Sequence, residues 1–403
     1  MVPDGWGVSA LQEVGPIIDC KHRTPTYVGN GIPIVSPGNL RWGALSFETC
    51  RRVSSKDHVS LMDHCTVEIG DIVYGRNQSV GVGSRVVCDQ PFALGQDTVL
   101  IKPKRIDPRF LYEQLQSSLV LRQIKKLSGG STFSRINLGE IRKLIVTVPP
   151  LPEQKKIAEI LSTWDAAIET AEKLLANAET QKRALMQPLL AGKRRLKGFE
   201  GREWIRRTLG ELGEPYGGLS GKSAGDFGQG KPFITYMTVF SRSRVDVNAM
   251  QFVEIGPKEK QHRVRKGDIF FTVSSETPDE VGMSSVLLDD VGEAYLNSFC
   301  FGYRLNSLKT LRPEYARYLL RGSQFRRDIR KLAQGATRYN LSKRQLMHLY
   351  VELPSFEEQE QIVGILDAED DRVEAYRKDI EMLRSEKRAL MQQLMTGMRR
   401  VTV

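Results

Sequence analysis

The chain has 403 residues, 40% of them apolar, which is too long for one ordinary domain and too apolar for a disordered polymer. Lys and Arg number 59 against 48 Asp and Glu, a net charge of +11 that favours a polyanionic partner. No apolar run approaches the roughly 18 residues of a membrane span, residues 1–10 lack a signal-peptide pattern, and Cys20, Cys50, Cys65, Cys88 and Cys300 show no paired spacing, so a reduced, cytoplasmic protein with no membrane attachment is expected.

The first globular region, 1–150, opens on Trp6, Leu11 and Gly15. Early polar loops carry Lys21, Arg23 and Arg41, then the Arg51, Arg52 pair. An apolar strand pattern at 67–74 contains Gly70-Asp71-Ile72 and leads into Arg76, Asn77, Gln78 and Ser79. These are side chains that read base edges and grip phosphates, and they sit on a loop between strands. A solvated hairpin accounts for the same residues, and sequence alone leaves both readings open. A strand at 99–102, helical periodicity at 110–126, a loop with Ser131, Thr132 and Arg135, and a strand at 144–148 complete the region.

A helical spacer, 151–197, follows, and then the plan repeats. The second globular region, 198–353, opens on Trp204, Leu209 and Gly213, then offers Lys222, Tyr236, Arg242 and Arg244 as lesser DNA-contact candidates. Its strand at 264–273 contains Gly267-Asp268-Ile269 and leads into Ser274, Ser275, Glu276 and Thr277. Helical periodicity at 313–332 is followed by Thr337, Arg338, Tyr339 and Asn340, a strand at 350–353 and a second helical spacer, 354–403. For each residue of this lesser group an ordinary surface position fits as well as a DNA contact.

The two spacers reveal the duplication most clearly. At a constant offset of 205, residues 153–195 and 358–400 share 18 of 43 identities, including Lys-Arg-Ala-Leu-Met-Gln in both. Ile157, Leu161, Trp164, Ile168, Ala171, Leu175, Ala178, Lys182, Leu185 and Leu189 alternate four and three apart, a heptad seam with one lysine in it. The second seam is Ile362, Leu366, Glu369, Val373, Tyr376, Ile380, Leu383, Lys387, Leu390 and Leu394. Pro152 suits a first helical turn, Ser355 with Glu358 a capping box, and Gly192 and Gly397 two helix ends. Each helix should run about 39 residues, about 58 Å. Such a stripe needs a partner, and antiparallel pairing, which sends the two globular regions to opposite ends, is favoured over parallel pairing. The expected fold is α+β: two globular domains and two long pairing helices.

Catalytic signatures are weak. Gly217-Gly218-Leu219-Ser220-Gly221-Lys222-Ser223 approximates a phosphate loop, yet Tyr216 stands where its first glycine belongs and Gly225, Gly228 and Gly230 oppose a following helix. Gly81-Val82-Gly83 lacks the third glycine of a dinucleotide loop. His58, His64 and Cys65 match no zinc spacing, and His22, His262 and His348 have no nucleophilic neighbours in sequence. No Asn-Pro-Pro-aromatic methyltransferase motif or acidic nuclease cluster is present in the sequence. The chain is therefore expected to bind rather than catalyse, with no metal or cofactor of its own. A stand-alone DNA-binding regulator, an architectural coiled-coil protein and an enzyme built on 217–223 stay open as alternatives.

Domain, helix, domain, helix resembles the type I restriction–modification DNA-specificity subunits over essentially the whole chain. Its most specific parts are Pro149-Pro150-Leu151-Pro152-Glu153-Gln154 and Leu353-Pro354 with Glu358-Gln359, each leading into a heptad helix. Pro3-Asp4-Gly5-Trp6 and Glu203-Trp204 are similar to that family's domain starts. The resemblance implies two target-recognition domains, each reading one half of a bipartite site in double-stranded DNA, and paired helices that set the gap. It implies two adenine-methylating modification subunits carrying S-adenosylmethionine, with restriction subunits that hydrolyse ATP as further partners. Pro188, where the second copy has Gln393, departs from the pattern and should kink or fray the last turn of the first helix.

Overall fold

The structure is a computed structural model that describes residues 2–128 and 135–402. It divides into two compact units, Met1–Glu172 with Lys378–Val403, and Lys173–Arg377. Each unit holds one globular domain and a stretch of both long helices, which run Leu151–Leu190 and Phe356–Met395.

In the first unit, Ile17–Asp19, Thr98–Ile101, Ile72–Gly75 and Gly83–Arg85 form an antiparallel sheet in that order. A second sheet orders Tyr27–Val28, Arg51–Val53, Ile32–Val35 and Ala93–Leu94. Gly7–Ala10 pairs with Ile145–Val148 as a separate ribbon. The strand expected at 67–74 begins only at Ile72, because Gly70 takes φ +98° and turns the chain just before it. The helical stretch at 110–126 splits into Pro108–Gln116 and Ser118–Leu127. Ser117 leaves the helical region and its hydroxyl accepts from Val120 N at 3.5 Å, ending one helix and starting the next.

The second unit has the same plan. Gly213–Gly217, Cys300–Leu305, Ile269–Thr272 and Ser284–Val286 form the first sheet, and Gln251–Val253, Phe227–Ile234 and Tyr295–Leu296 the second. Ile205–Thr208 with Tyr350–Leu353 is the ribbon. Pro313–Leu319 and Ser323–Lys331 divide the stretch read as one helix at 313–332. Two domains with little sequence in common thus share the strand order of the first sheet and the helix breaks, while the second sheet has four strands in one and three in the other.

Both long helices span 40 residues, at the same offset of 205. Pro188 does not shorten the first, since only Leu189 and Leu190 follow it in the helix. Arg194 N donates to Pro188 O (3.1 Å) and Arg399 N to Gln393 O (3.2 Å) around left-handed Gly192 and Gly397, so both helices end in the same glycine-capped turn. Every heptad-seam position of both helices is buried or half-buried.

Within the first unit the two helix stretches run antiparallel: Glu153 pairs with Arg400 (2.7 Å), Asp165 with Lys387 (2.8 Å) and Glu172 with Arg384 (2.6 Å). Within the second, Glu358 pairs with Arg195 (2.9 Å), Asp370 with Lys182, and Arg377 with Glu179 (2.7 Å). Ser355 Oγ caps Glu358 N at 3.3 Å, but the Glu358 carboxylate turns to Arg195, so only half of the expected capping box forms.

Each globular core incorporates helix residues of its own unit. Ile157, Ala158, Leu161, Leu394 and Met395 join Trp6, Ile72, Tyr74 and Phe110. Ile362, Leu366, Leu189 and Leu190 join Leu209, Ile269, Phe271 and Tyr315. Two buried glutamines latch the joints: Gln154 Oε1 accepts from Asp107 N (2.8 Å), and Gln359 Oε1 from Arg312 N (2.9 Å). The seam lysines are part of the joint as well. Lys387 lies 3.0 Å from Glu113 of the first domain, and Asp370, which holds Lys182, also accepts from Arg317 and Tyr318 of the second.

Candidate nucleic-acid interface

In the first unit the strand Ile72–Gly75 delivers Arg76, Asn77, Gln78 and Ser79 to a turn pinned from several sides. Arg76 N donates to Asp97 O (2.8 Å) and Ile136 N to Arg76 O (3.0 Å). Asn77 forms an antiparallel bridge with Arg135, so two segments nominated separately in sequence become one edge. Asp97 lies 3.5 Å from the Arg135 guanidinium and 3.4 Å from the Asn77 amide. Gln78 is exposed and takes φ +58°, a conformation a glutamine adopts only when its surroundings impose it. Asn77 Oδ1 accepts from Gln78 N at 2.9 Å, and Ser79 N donates to Asn77 O. Such strain commonly accompanies ligand contact.

Arg76 itself points inward. It is 5% exposed and donates to Asp19 Oδ1 at 2.5 Å, so it braces the turn instead of presenting a guanidinium to a base. Ser131 and Thr132 lie outside the described residues. Lys21 is committed to Asp63 and Ser60 O, and Arg23 to Asp57 and Ser60, all on or beside the helix Ser55–Met62. Arg41 is exposed and folds back on Gly38 and Leu40 carbonyls. Arg51 lies over the Tyr27 ring and Arg52 donates to Gly31 O, both on a strand of the second sheet.

The second unit builds the equivalent edge with more backbone pairing. Ser274 opposes Asn340 and Ser275 opposes Tyr339 in a short antiparallel ladder, and Leu341 N donates to Val273 O (2.8 Å). Tyr236 donates its hydroxyl to Ser274 O (2.8 Å) while its ring stacks on Phe240. Burial pushes the Tyr236 phenol up, so it remains a neutral donor. Ser274 and Ser275 are buried and act as scaffold, whereas Glu276, Thr277, Thr337, Arg338 and Asn340 are exposed.

Three candidates lie off this edge. Lys222 is bound to both carboxylate oxygens of Glu259 (2.7 and 2.6 Å). A strand, Phe227–Ile234, follows one short 3-10 turn where a phosphate loop requires a helix. Arg242 pairs with Asp246 (3.2 Å), and Arg244 with Asp289 (2.9 Å), lining a separate cleft of about 960 Å³.

Asp19, Cys20 and His22 approach within 4.8 Å of one another, a group of three potential ligands that sequence spacing did not suggest. Asp19 is already bound to Arg76, and burial pushes the Cys20 thiol up, away from the thiolate a metal needs. The bracing residues Asp19 and Asp97 were not nominated either; they stand 57 and 21 positions from Arg76, and only the sheet order brings them there. No described helix is long and apolar enough to cross a membrane.

The sequence profile of the type I restriction modification DNA specificity domain matches residues 3–180 and again 202–383. The chain is 25% identical over 317 residues to the type I restriction enzyme MjaVIII specificity subunit of Methanocaldococcus jannaschii, covering 74% of this chain and 72% of that one. It is 25% identical over 305 residues to the EcoKI specificity subunit of Escherichia coli K12, covering 71% and 65%. Among solved structures it is similar in fold to a type I system S subunit from M. genitalium, with a TM-score of 0.57, 16% identity and coverage of 98% and 96%. A chain from a study of complex assembly and conformational transition in the type I system gives a TM-score of 0.62 at 19% identity, covering 98% and 99%.

Proposed function

The chain belongs to the type I restriction–modification DNA-specificity family, and from that premise we propose that each of its domains reads one half of a bipartite site in duplex DNA while the long helices set the gap. It is the DNA-recognition subunit of such a system. The observation that carries the half-site reading is the convergence, in each unit, of two loops distant in sequence into one braced, exposed polar edge. Asn77, Gln78 and Arg135 form the first edge; Thr277, Thr337, Arg338 and Asn340 form the second. Amide and guanidinium groups match adenine and guanine in the major groove, and the net charge of +11 favours phosphate contact at both.

Catalysis falls to partners in this reading. Two modification subunits bring S-adenosylmethionine and methylate adenine, ATP-hydrolysing restriction subunits join them, and the assembly works on DNA in the cytoplasm. A partner present twice needs the same surface twice. Arg183, Gln187 and Arg194 are exposed, and so are their counterparts Arg388, Gln392 and Arg399; seam packing does not require their identity. These residues are the proposed modification-subunit contacts on the helices.

Domain exchange tests the half-site assignment. Replacing 1–150 with the corresponding domain of a relative should change one half of the methylated sequence, and replacing 198–353 the other. An exchange of either domain that altered both halves would sink it.

A further inference from the structure

Arg321 lies in the turn between Pro313–Leu319 and Ser323–Lys331, and its described hydrogen bonds all go to main-chain carbonyls. Nε donates to Ser284 O (2.6 Å), and Nη2 to Val239 O (2.9 Å), Phe240 O (3.0 Å) and Arg242 O (2.8 Å). Arg326, on the next helix, does the same: Nη1 to Gly282 O (2.9 Å), Nη2 to Asp279 O (2.7 Å) and Val281 O (2.7 Å). The Asp279 carboxylate meanwhile faces Arg330 at 2.9 Å. Withdrawal from water pushes Arg321 down to about 10, which leaves it a cation at neutral pH.

Apart from Ser284 O, which lies on the strand Ser284–Val286, the carbonyls these two side chains collect cluster at two short-helix ends. One group ends Tyr236–Ser241, and the other ends the 3-10 turn Pro278–Glu280. Terminal carbonyls have no partner within their own helix, and a cation suits that end of the peptide dipoles. Tyr236, on the first of these elements, donates to Ser274 O; Thr277 leads into the second and donates to Glu280. Both flanks of the exposed edge are therefore held from beneath by guanidinium groups. At the offset of 205 the first copy has Gln116 and Leu121, and it braces its own turn through Arg76 and Asp19 instead.

We propose that Arg321 and Arg326 are positioning residues for the second half-site, fixing the flanks of the edge that reads it without touching DNA. The proposal rests on assigning the Thr277 and Arg338 edge to DNA reading. A half-buried guanidinium spread over three or four carbonyls cannot be replaced by a lysine, which brings charge without the planar fork.

The test uses the chain assembled with its modification subunits, and duplexes carrying each single-base change in either half-site. The ratio of methylation rates, cognate over altered duplex, is the discrimination. Arg321→Lys and Arg326→Lys should each lower second-half discrimination about tenfold while leaving first-half discrimination within about twofold. A merely structural role slows cognate and altered duplexes alike and leaves both ratios unchanged, which overturns the proposal. Thr277→Ala and Arg338→Ala run alongside. If they lose second-half discrimination while both lysine variants keep it, the positioning role alone falls. If all four variants keep it, the edge itself has been assigned wrongly, and the proposal falls with it.

Discussion

Replacing Glu113 by glutamine should remove a pH dependence built into the first unit. Glu113 is 2% exposed, and its carboxylate faces Lys387 at 3.0 Å, which also holds Asp165 at 2.8 Å. Two carboxylates share one ammonium there. Burial pushes Glu113 from its ordinary 4.5 up to about 7, with Lys387 opposing and Asp165 assisting. The folded state then keeps a proton that the unfolded chain releases above pH 4.5, so the stabilisation is complete below 4.5 and is lost as pH rises through 7. The full difference is roughly 3 kcal/mol at about 1.36 kcal/mol per pH unit, most of which falls between pH 5 and pH 8. Hydrogen exchange of peptides from Pro108–Gln116, converted to opening free energy at each pH, reads this directly. Glu113→Gln keeps the shape and an acceptor for Lys387 but cannot titrate, so its profile should be flatter by that amount. The second unit supplies a control, because Tyr318 occupies the equivalent place and donates to Asp367 and Asp370. Equal pH slopes for the wild type and Glu113→Gln would refute the reasoning.

Three further outcomes are expected. Gln154→Leu leaves the buried Asp107 N–H without its acceptor and should destabilise the first unit by about 1–3 kcal/mol in denaturant unfolding; Gln359→Leu should do the same to the second through Arg312 N. Arg183→Glu with Arg388→Glu should weaken capture of the modification subunit in analytical ultracentrifugation while leaving the chain's melting temperature within a degree or two, about 0.5 kcal/mol or less; unchanged assembly would move the docking surface elsewhere. One heptad inserted after Glu172 and another after Arg377 adds about 10.5 Å of helix at ~1.5 Å per residue. Methylated-site sequencing should then show unchanged half-sites about three base pairs further apart, whereas an unchanged gap with full activity would mean the helices do not set it.

The long helices were legible because their constraint is local and periodic. An apolar residue every three or four positions and a capping glycine write their requirements into adjacent sequence, so seam and ends can be read off. Lys182 and Lys387 read there as interruptions, since nothing nearby announces Asp370, or Glu113 some 270 positions away. The candidate loops were nominated from their strand–loop context and side-chain chemistry. Which of their residues face outward depended on bonds from distant strands, and so Arg76, nominated with Asn77, Gln78 and Ser79, turned inward toward Asp19. The helix breaks at Ser117 and near Gly322 escaped because apolar periodicity runs straight across them.

The exposed ion pairs on the helices differ between the copies in a way that bears on self-recognition. Glu172 and Glu179 belong to the first copy, while their repeat equivalents, Arg377 and Arg384, belong to the second. Two first-copy helices from separate chains would set glutamate against glutamate, and two second-copy helices arginine against arginine. Volume points the same way: Ala171 and Ala178 in one helix correspond to Tyr376 and Leu383 in the other. Like with like would leave holes in one case and overfill the seam in the other. A molecule that began as two equal halves has thereby become one in which each half is complementary to its sister and poorly matched to itself. Like copies of newly made chains are thereby kept from pairing with one another, and each first-copy helix is steered toward a second-copy helix.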